Sequence, residues 1–197
     1  MQPIIGIIMR ANKSESGKNI QVVYDDIIKA VKASGGEAIG IPYDNIKDYF
    51  GICKGFILQG GDEFSQIDMD NIKILHENNI PLLGICLGMQ EMSYINNGLI
   101  KDITGHNDGN HEVIIVKDSL LYKIIKKDKI IVNSRHKSAI VSTNLKVSSY
   151  AGDGYIESIE DDNCKFFLGI QWHPENMYDI DYDSKKIFDY FVKICHY

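Results

Sequence analysis

The chain has 197 residues, of which 44% are hydrophobic and 24% charged, with a formal net charge of −6. That balance is ordinary for a folded globular protein, is long enough to bury a core without staples, and argues against a nucleic-acid-binding surface. No stretch approaches the roughly 18 apolar residues of a membrane span, and the opening Met1–Ile8 is too short and too free of basic residues for a secretory leader.

The predicted elements run as follows. Ile4–Met9 is a continuous apolar strand of the kind buried on both faces. Arg10–Lys18 is polar and loop-like, and Asn19–Ser34 carries Val22, Val23, Ile27, Ile28 and Val31 at helical spacing. Gly35-Gly36 ends that helix. Glu37–Ile41 and Gly55–Leu58 are short strands, the second running into Gln59-Gly60-Gly61-Asp62-Glu63, a turn. Asp68–Asn79 is a helix, Ile80–Ile85 a strand and Met89–Asn97 a helix. Alternation of strand and helix predicts an α/β sheet, mostly parallel, with helices on both faces. The second half changes character. Glu112–Val116, Lys129–Val132, Leu145–Ala151, Tyr155–Ile159 and Phe166–Gln171 are strand candidates with one short helix, Ser119–Ile125, among them, and Asp183–Ile194 closes the chain as a helix. Consecutive strands predict antiparallel additions to the sheet. No linker, repeat or low-complexity tract divides the chain, so residues 1–197 are expected to form one domain.

Four cysteines (Cys53, Cys86, Cys164, Cys195) are scattered with no C-x-x-C pair, which suits reduced thiols and a cytoplasmic location better than a disulfide framework. One of them stands apart. Gly84-Ile85-Cys86-Leu87-Gly88 joins an apolar strand to a helix, the thiol counterpart of a nucleophile elbow. There Cys86 sits at a helix N-terminus, where backbone N–H groups and the helix dipole favour a thiolate. A cysteine nucleophile needs a base, and the base needs an orienting group. Gly169-Ile170-Gln171-Trp172-His173-Pro174-Glu175 supplies both. Proline holds His173 out of the helical region, and Glu175, two residues on in an extended segment, shares its face. The Gly60-Gly61 turn lets the backbone approach a substrate, and the N–H groups of Gly61 and Leu87 are expected to form an oxyanion hole. His106 and His111 flank a glycine-containing loop, but their spacing shows no third ligand, so no metal is expected. Trp172 is expected to pack in the core.

Gly-Ile-Cys-Leu-Gly-Met-Gln, Gln-Trp-His-Pro-Glu near the C-terminus and the Gly-Gly turn one strand before the cysteine together resemble the class I glutamine amidotransferase superfamily. The resemblance covers nearly the whole chain. It implies a flavodoxin-like sheet with extra antiparallel strands, a Cys86–His173–Glu175 triad, a γ-glutamyl thioester intermediate, and no metal or organic cofactor. Val132-Asn133-Ser134-Arg135-His136 and Asp153-Gly154-Tyr155-Ile156-Glu157 look like the branch of free-standing γ-glutamyl hydrolases, peptidase family C26, whose type members cleave γ-glutamyl-γ-aminobutyrate. Two positions depart from that branch: Leu87 stands where arginine is common, and Lys137 where a second histidine is frequent. The Gly-Ile-Cys-Leu-Gly-Met-Gln segment is closer to glutaminase subunits that feed ammonia to a synthase partner. The reading is therefore a hydrolase of a small γ-glutamyl amide, with a glutaminase subunit serving a separate synthase as the alternative. Gln90, Gly60, Ser134 and His136 are the expected substrate-binding residues, and Asp62 or Glu63 is a candidate for the substrate ammonium. A homodimer is the family-based expectation.

Overall fold

A computed structural model of the chain describes residues 1–196. The first half is β1 (Ile4–Ile8), β2 (Arg10–Lys13), β3 (Asn19–Val22), α1 (Asp25–Ala33), β4 (Glu37–Ile41), β5 (Gly55–Leu58), α2 (Gln66–Glu77), β6 (Leu82–Ile85) and α3 (Leu87–Tyr94). Strands β4, β1, β5 and β6 lie side by side, all parallel. Every residue of β5 and β6 is buried. Their alternating side chains feed two cores: Ile57 and Leu83 pack with α1, and Phe56, Leu58 and Leu82 pack with α2 and α3. Helices therefore cover both faces, as a parallel sheet requires.

The segment after β1 differs from its prediction. Residues 10–13 and 19–22 form an antiparallel hairpin, and α1 begins only at Asp25. Gly17, at φ 77°, lets the chain reverse. Gln59 then captures the returning strand: its side-chain amide donates to the carbonyls of Ile8 (2.9 Å) and Val22 (2.8 Å) and accepts from the Tyr24 N–H at 3.0 Å. Val22 and Val23 fit a helical stripe, but these long-range hydrogen bonds override local spacing.

The second half is β7 (Leu99–Asp102), β8 (Asn110–Ile115), α4 (Leu120–Ile125), β9 (Lys129–Asn133), β10 (Ser138–Ser142), β11 (Lys146–Ala151), β12 (Ile156–Glu160), β13 (Phe167–Ile170) and α5 (Tyr182–Ile194). Two of these strands, β7 and β10, carry no clear sequence signal; they pair mainly with each other at the margin of the sheet. Strands β12, β11, β8 and β9 continue the main sheet with antiparallel pairing. The last strand meets the antiparallel expectation on one side only, pairing antiparallel with β12. β13 inserts beside β6 and runs parallel to it, with Ile170 opposite Ile85. That register matters for everything that follows, because the residues just past Ile170 lie next to Cys86. Among the described residues no helix is long and apolar enough to cross a membrane.

Candidate active site

Cys86 sits where β6 turns into α3, with φ 52° and ψ −107°, a conformation that L-residues rarely adopt. Such backbone strain persists only where neighbours over-determine it. Here they are identifiable. The Cys86 N–H is held by the Ile170 carbonyl at 2.8 Å, which extends the β6–β13 ladder to the apex. Gly88 packs directly on β5: a methyl group there would lie 2.4 Å from the Leu58 carbonyl oxygen. Gly84 is crowded by Met92 and by the Gly88 backbone. The flanking glycines are thus dictated by close approach, as the sequence pattern suggested.

His173 and Glu175 leave the end of β13 toward this apex. His173 Nδ1 lies 2.7 Å from Glu175 Oε1. The contact arises differently from its prediction, since Pro174–Asn176 forms a turn of 3-10 helix rather than an extended segment. With Nδ1 engaged by the carboxylate, Nε2 is left for the neighbouring Cys86, whose influence is among those that raise the ring's pKa. Burial alone would lower the His173 pKa; the hydrogen bonds and charges of Cys86 and Glu175 outweigh it and push the ring up to about 10. Gly60 packs against the same imidazole: a methyl group there would come 3.0 Å from Cε1 and 3.5 Å from the Cys86 Cβ. A larger residue at position 60 would separate nucleophile and base.

The arrangement opens onto a cavity of about 610 Å3 lined by Gly61, Asp62, Cys86, Leu87, Gln90 and His136 among others. The expected oxyanion-hole residues Gly61 and Leu87 line the same cavity as Cys86, and a methyl group on Gly61 would touch the Leu87 side chain at 3.0 Å. The expected substrate-binding residues divide. Gln90 lines the cavity, yet its side-chain amide already donates to the Ser138 carbonyl (2.9 Å) and to Gln171 Oε1 (3.1 Å). His136 presents its ring to the cavity, while Nδ1 lies 3.0 Å from the Ser138 carbonyl and Nε2 3.2 Å from His106 Nδ1. Ser134 is buried with its hydroxyl donating to the His106 carbonyl at 2.6 Å, so it braces a loop instead of facing the cavity. Asp62 is at the cavity wall and Glu63 faces a neighbouring depression. Trp172 is buried in the core, as expected.

Three residues that the sequence reading passed over hold the site together. Gln171 donates from its side-chain amide toward Cys86 Sγ at 3.6 Å; its place in the Gln-Trp-His-Pro-Glu segment was the available signal. Asn133 clasps the His173 backbone, accepting from its N–H and donating to its carbonyl, both at 2.8 Å. Arg10, read as a loop residue, is buried and donates twice to the Gln59 carbonyl, from Nε at 3.1 Å and Nη2 at 2.7 Å. It also pairs with Asp68 and, at 3.0 Å, with Glu91. This ion cluster pins the chain where it enters the Gly60-Gly61 turn. Burial pushes the Glu91 carboxyl up to about 7 despite the opposing pull of Arg10. The fold also corrects the view of His106 and His111. Their rings are joined by His136 and Glu157, one ligand-type atom from each lying within 4.8 Å of the others.

A strained thiol at a helix start, with an imidazole and glycine backbone packed beside it, is an arrangement suited to acyl transfer. The family model described as Peptidase C26 matches residues 63–175. Protein NtpR of Enterococcus hirae is 28% identical, over 98% of this chain and 99% of its own length. Gamma-glutamyl-gamma-aminobutyrate hydrolase PuuD of Escherichia coli is 27% identical, over 66% of this chain and 60% of its own length. Among solved structures, the glutaminase domain of Trypanosoma brucei CTPS with bound acivicin superposes with a TM-score of 0.77 at 17% identity, covering 98% of this chain and 94% of that one.

Proposed function

The chain belongs to the peptidase C26 family, within the class I glutamine amidotransferases, and on that premise we propose that it hydrolyses a γ-glutamyl amide through a Cys86–His173–Glu175 triad. The observation that carries this reading is the His173 ring, hydrogen-bonded to Glu175 and packed with Cys86 against the same glycine, Gly60, beside a cavity sized for a small molecule. Cys86 attacks the γ-carbonyl and forms a tetrahedral adduct, whose oxyanion is taken by the N–H groups of Gly61 and Leu87. His173 gives its proton to the departing nitrogen and the γ-glutamyl thioester forms. It next takes a proton from water, which attacks the thioester and releases glutamate. Glu175 holds the imidazole in one tautomer and stabilises the imidazolium.

A second reading has an observation of its own. Phe64 and Tyr94 stack edge to face at 5.5 Å on the cavity rim, 42% and 56% exposed, with Leu99 half exposed beside them. An apolar rim of this kind suits a docked partner, as would be needed by a glutaminase subunit delivering ammonia from glutamine to a separate synthase. Glutamate release by the purified chain separates the two. A panel of γ-glutamyl amines is compared with free glutamine, and Cys86→Ala is the control. The hydrolase reading predicts turnover of a γ-glutamyl amine by the chain alone, reduced on the order of 10⁴-fold or more in the variant. Turnover confined to glutamine and dependent on an added synthase would favour the second reading. Turnover that persists in Cys86→Ala would overturn both.

A further inference from the structure

The side chains of His106, His111, His136 and Glu157 converge, His136 being the member that lines the cavity. They come from the loop after β7, from β8, from the loop after β9 and from β12. Glu157 is fully buried, and neither of its oxygens has a hydrogen-bond partner; His111 Nε2 has none either. A buried carboxylate with no donor is costly, and among the described residues its cationic-type neighbours within 4.0 Å are the three imidazoles.

The outer nitrogens of those rings settle which atoms face inward with lone pairs. His106 Nε2 lies 2.9 Å from Asp153 Oδ2, His136 Nδ1 lies 3.0 Å from the Ser138 carbonyl, and His111 Nδ1 lies 3.2 Å from the Glu112 carbonyl. Carbonyl and carboxylate oxygens only accept, so each outer nitrogen carries the proton. In neutral rings, His106 Nδ1, His111 Nε2 and His136 Nε2 then meet Glu157 as bare acceptors. The separations are 3.2 Å (His106–His136), 3.5 Å (His136–Glu157) and 3.8 Å for both His106–Glu157 and His111–Glu157. A tetrahedral cation with bonds of about 2.0–2.1 Å would space its ligands at about 3.4 Å. Four acceptors within 4.8 Å of one another, each histidine backed by an acceptor of its outer N–H, have the construction of a metal centre with its supporting shell.

We propose that His106, His111, His136 and Glu157 bind one tetrahedral divalent cation of the zinc class, in a closed site that holds His136 at the cavity wall. Three imidazoles and one carboxylate favour zinc over calcium or magnesium, which prefer oxygen ligands. Four protein ligands leave no open position, so the role is structural. The site is also coupled to the thiol. His136 and Gln90 both donate to the Ser138 carbonyl, Gln90 donates to Gln171, and Gln171 donates toward Cys86. The Gln171 N–H is held by the Glu157 carbonyl at 2.8 Å.

The test is metal analysis of the full chain produced in zinc-supplemented medium, followed by stripping with a chelator and titration with zinc chloride. The expected result is one zinc per chain, retained in Cys86→Ala and lost in Glu157→Gln and His111→Ala. Zinc at about 100-fold over its Kd should also raise the melting midpoint of the stripped chain by roughly 5 °C or more. Less than a tenth of an equivalent of zinc, with no shift on titration, would overturn the proposal. Should the ligand variants fail to fold, cobalt substitution of the unaltered chain decides. Tetrahedral ligand-field bands without sulfur charge transfer support the site. A sulfur-to-cobalt band would place the cation at Cys86 or at the His76, Asp161 and Cys164 group, and would overturn the assignment.

Discussion

At Cys86 the backbone is held at φ 52° by a strand ladder on one side and two crowded glycines on the other. That strain places the buried thiol at the start of α3 on the lining of the cavity, next to the His173 ring. The imidazole is the titrating partner. Its pKa, ordinarily 6.5, is pushed to about 10 by Cys86 and Glu175 against the lowering effect of burial. A raised folded-state pKa means that this group stabilises the fold fully below about pH 6.5, and that the contribution is lost as pH rises through about 10. For catalysis, the proton needed by the leaving nitrogen stays on His173 until that same range, so kcat/KM should fall on the alkaline side near pH 10. Glu175→Gln removes a charge that raises the pKa while leaving burial in place. The alkaline limb should therefore move to lower pH, and kcat should drop roughly 10²- to 10⁴-fold. A pH–rate profile of both proteins checks this. An unmoved limb would show that Glu175 does not set the His173 pKa.

The elements place these residues, and one insertion is decisive. β13 runs parallel to β6, so Gln171 comes beside Cys86 and His173 two residues further. An antiparallel β13 would carry the Gln-Trp-His-Pro-Glu segment to the opposite end of the sheet. The second positioning device is the hairpin β2–β3 with Arg10. It packs the guanidinium between the Gln59 carbonyl, Asp68 and Glu91, and so fixes the entry to the Gly60-Gly61 turn. Arg10→Ala would leave Glu91, which is fully buried, without its counter-charge. Loss of one partner of a buried ion pair costs about 3–5 kcal/mol. Denaturant unfolding of Arg10→Ala should show that loss. An unchanged midpoint would mean that the cluster contributes little to the fold.

Across the whole molecule, legibility followed the range of the interaction. Gly84, Cys86, Gly88 and His173-Pro174-Glu175 carry their geometry within a few residues, so the elbow and the triad candidates could be read directly. The parallel half was legible for the same reason, since its strands are short apolar runs separated by helices. What escaped depends on distant partners. The hairpin at residues 10–22 exists because Gln59 captures it. β7 and β10 are short marginal strands that pair chiefly with each other. His106, His111, His136 and Glu157 become a cluster only when four separate segments fold together. The membership in peptidase C26 sets the chemistry at the level of a glutamine amidotransferase-like hydrolase. The central claim is a covalent γ-glutamyl intermediate on Cys86, and the most direct test traps it. The chain is mixed with a γ-glutamyl amide, quenched in acid on the timescale of a turnover, and measured by intact mass with peptide mapping. The account predicts one glutamyl adduct on the peptide carrying Cys86, absent from Cys86→Ala and removed by hydroxylamine. Steady glutamate release with no adduct on that peptide at any quench time, and with release unaffected in Cys86→Ala, would contradict it.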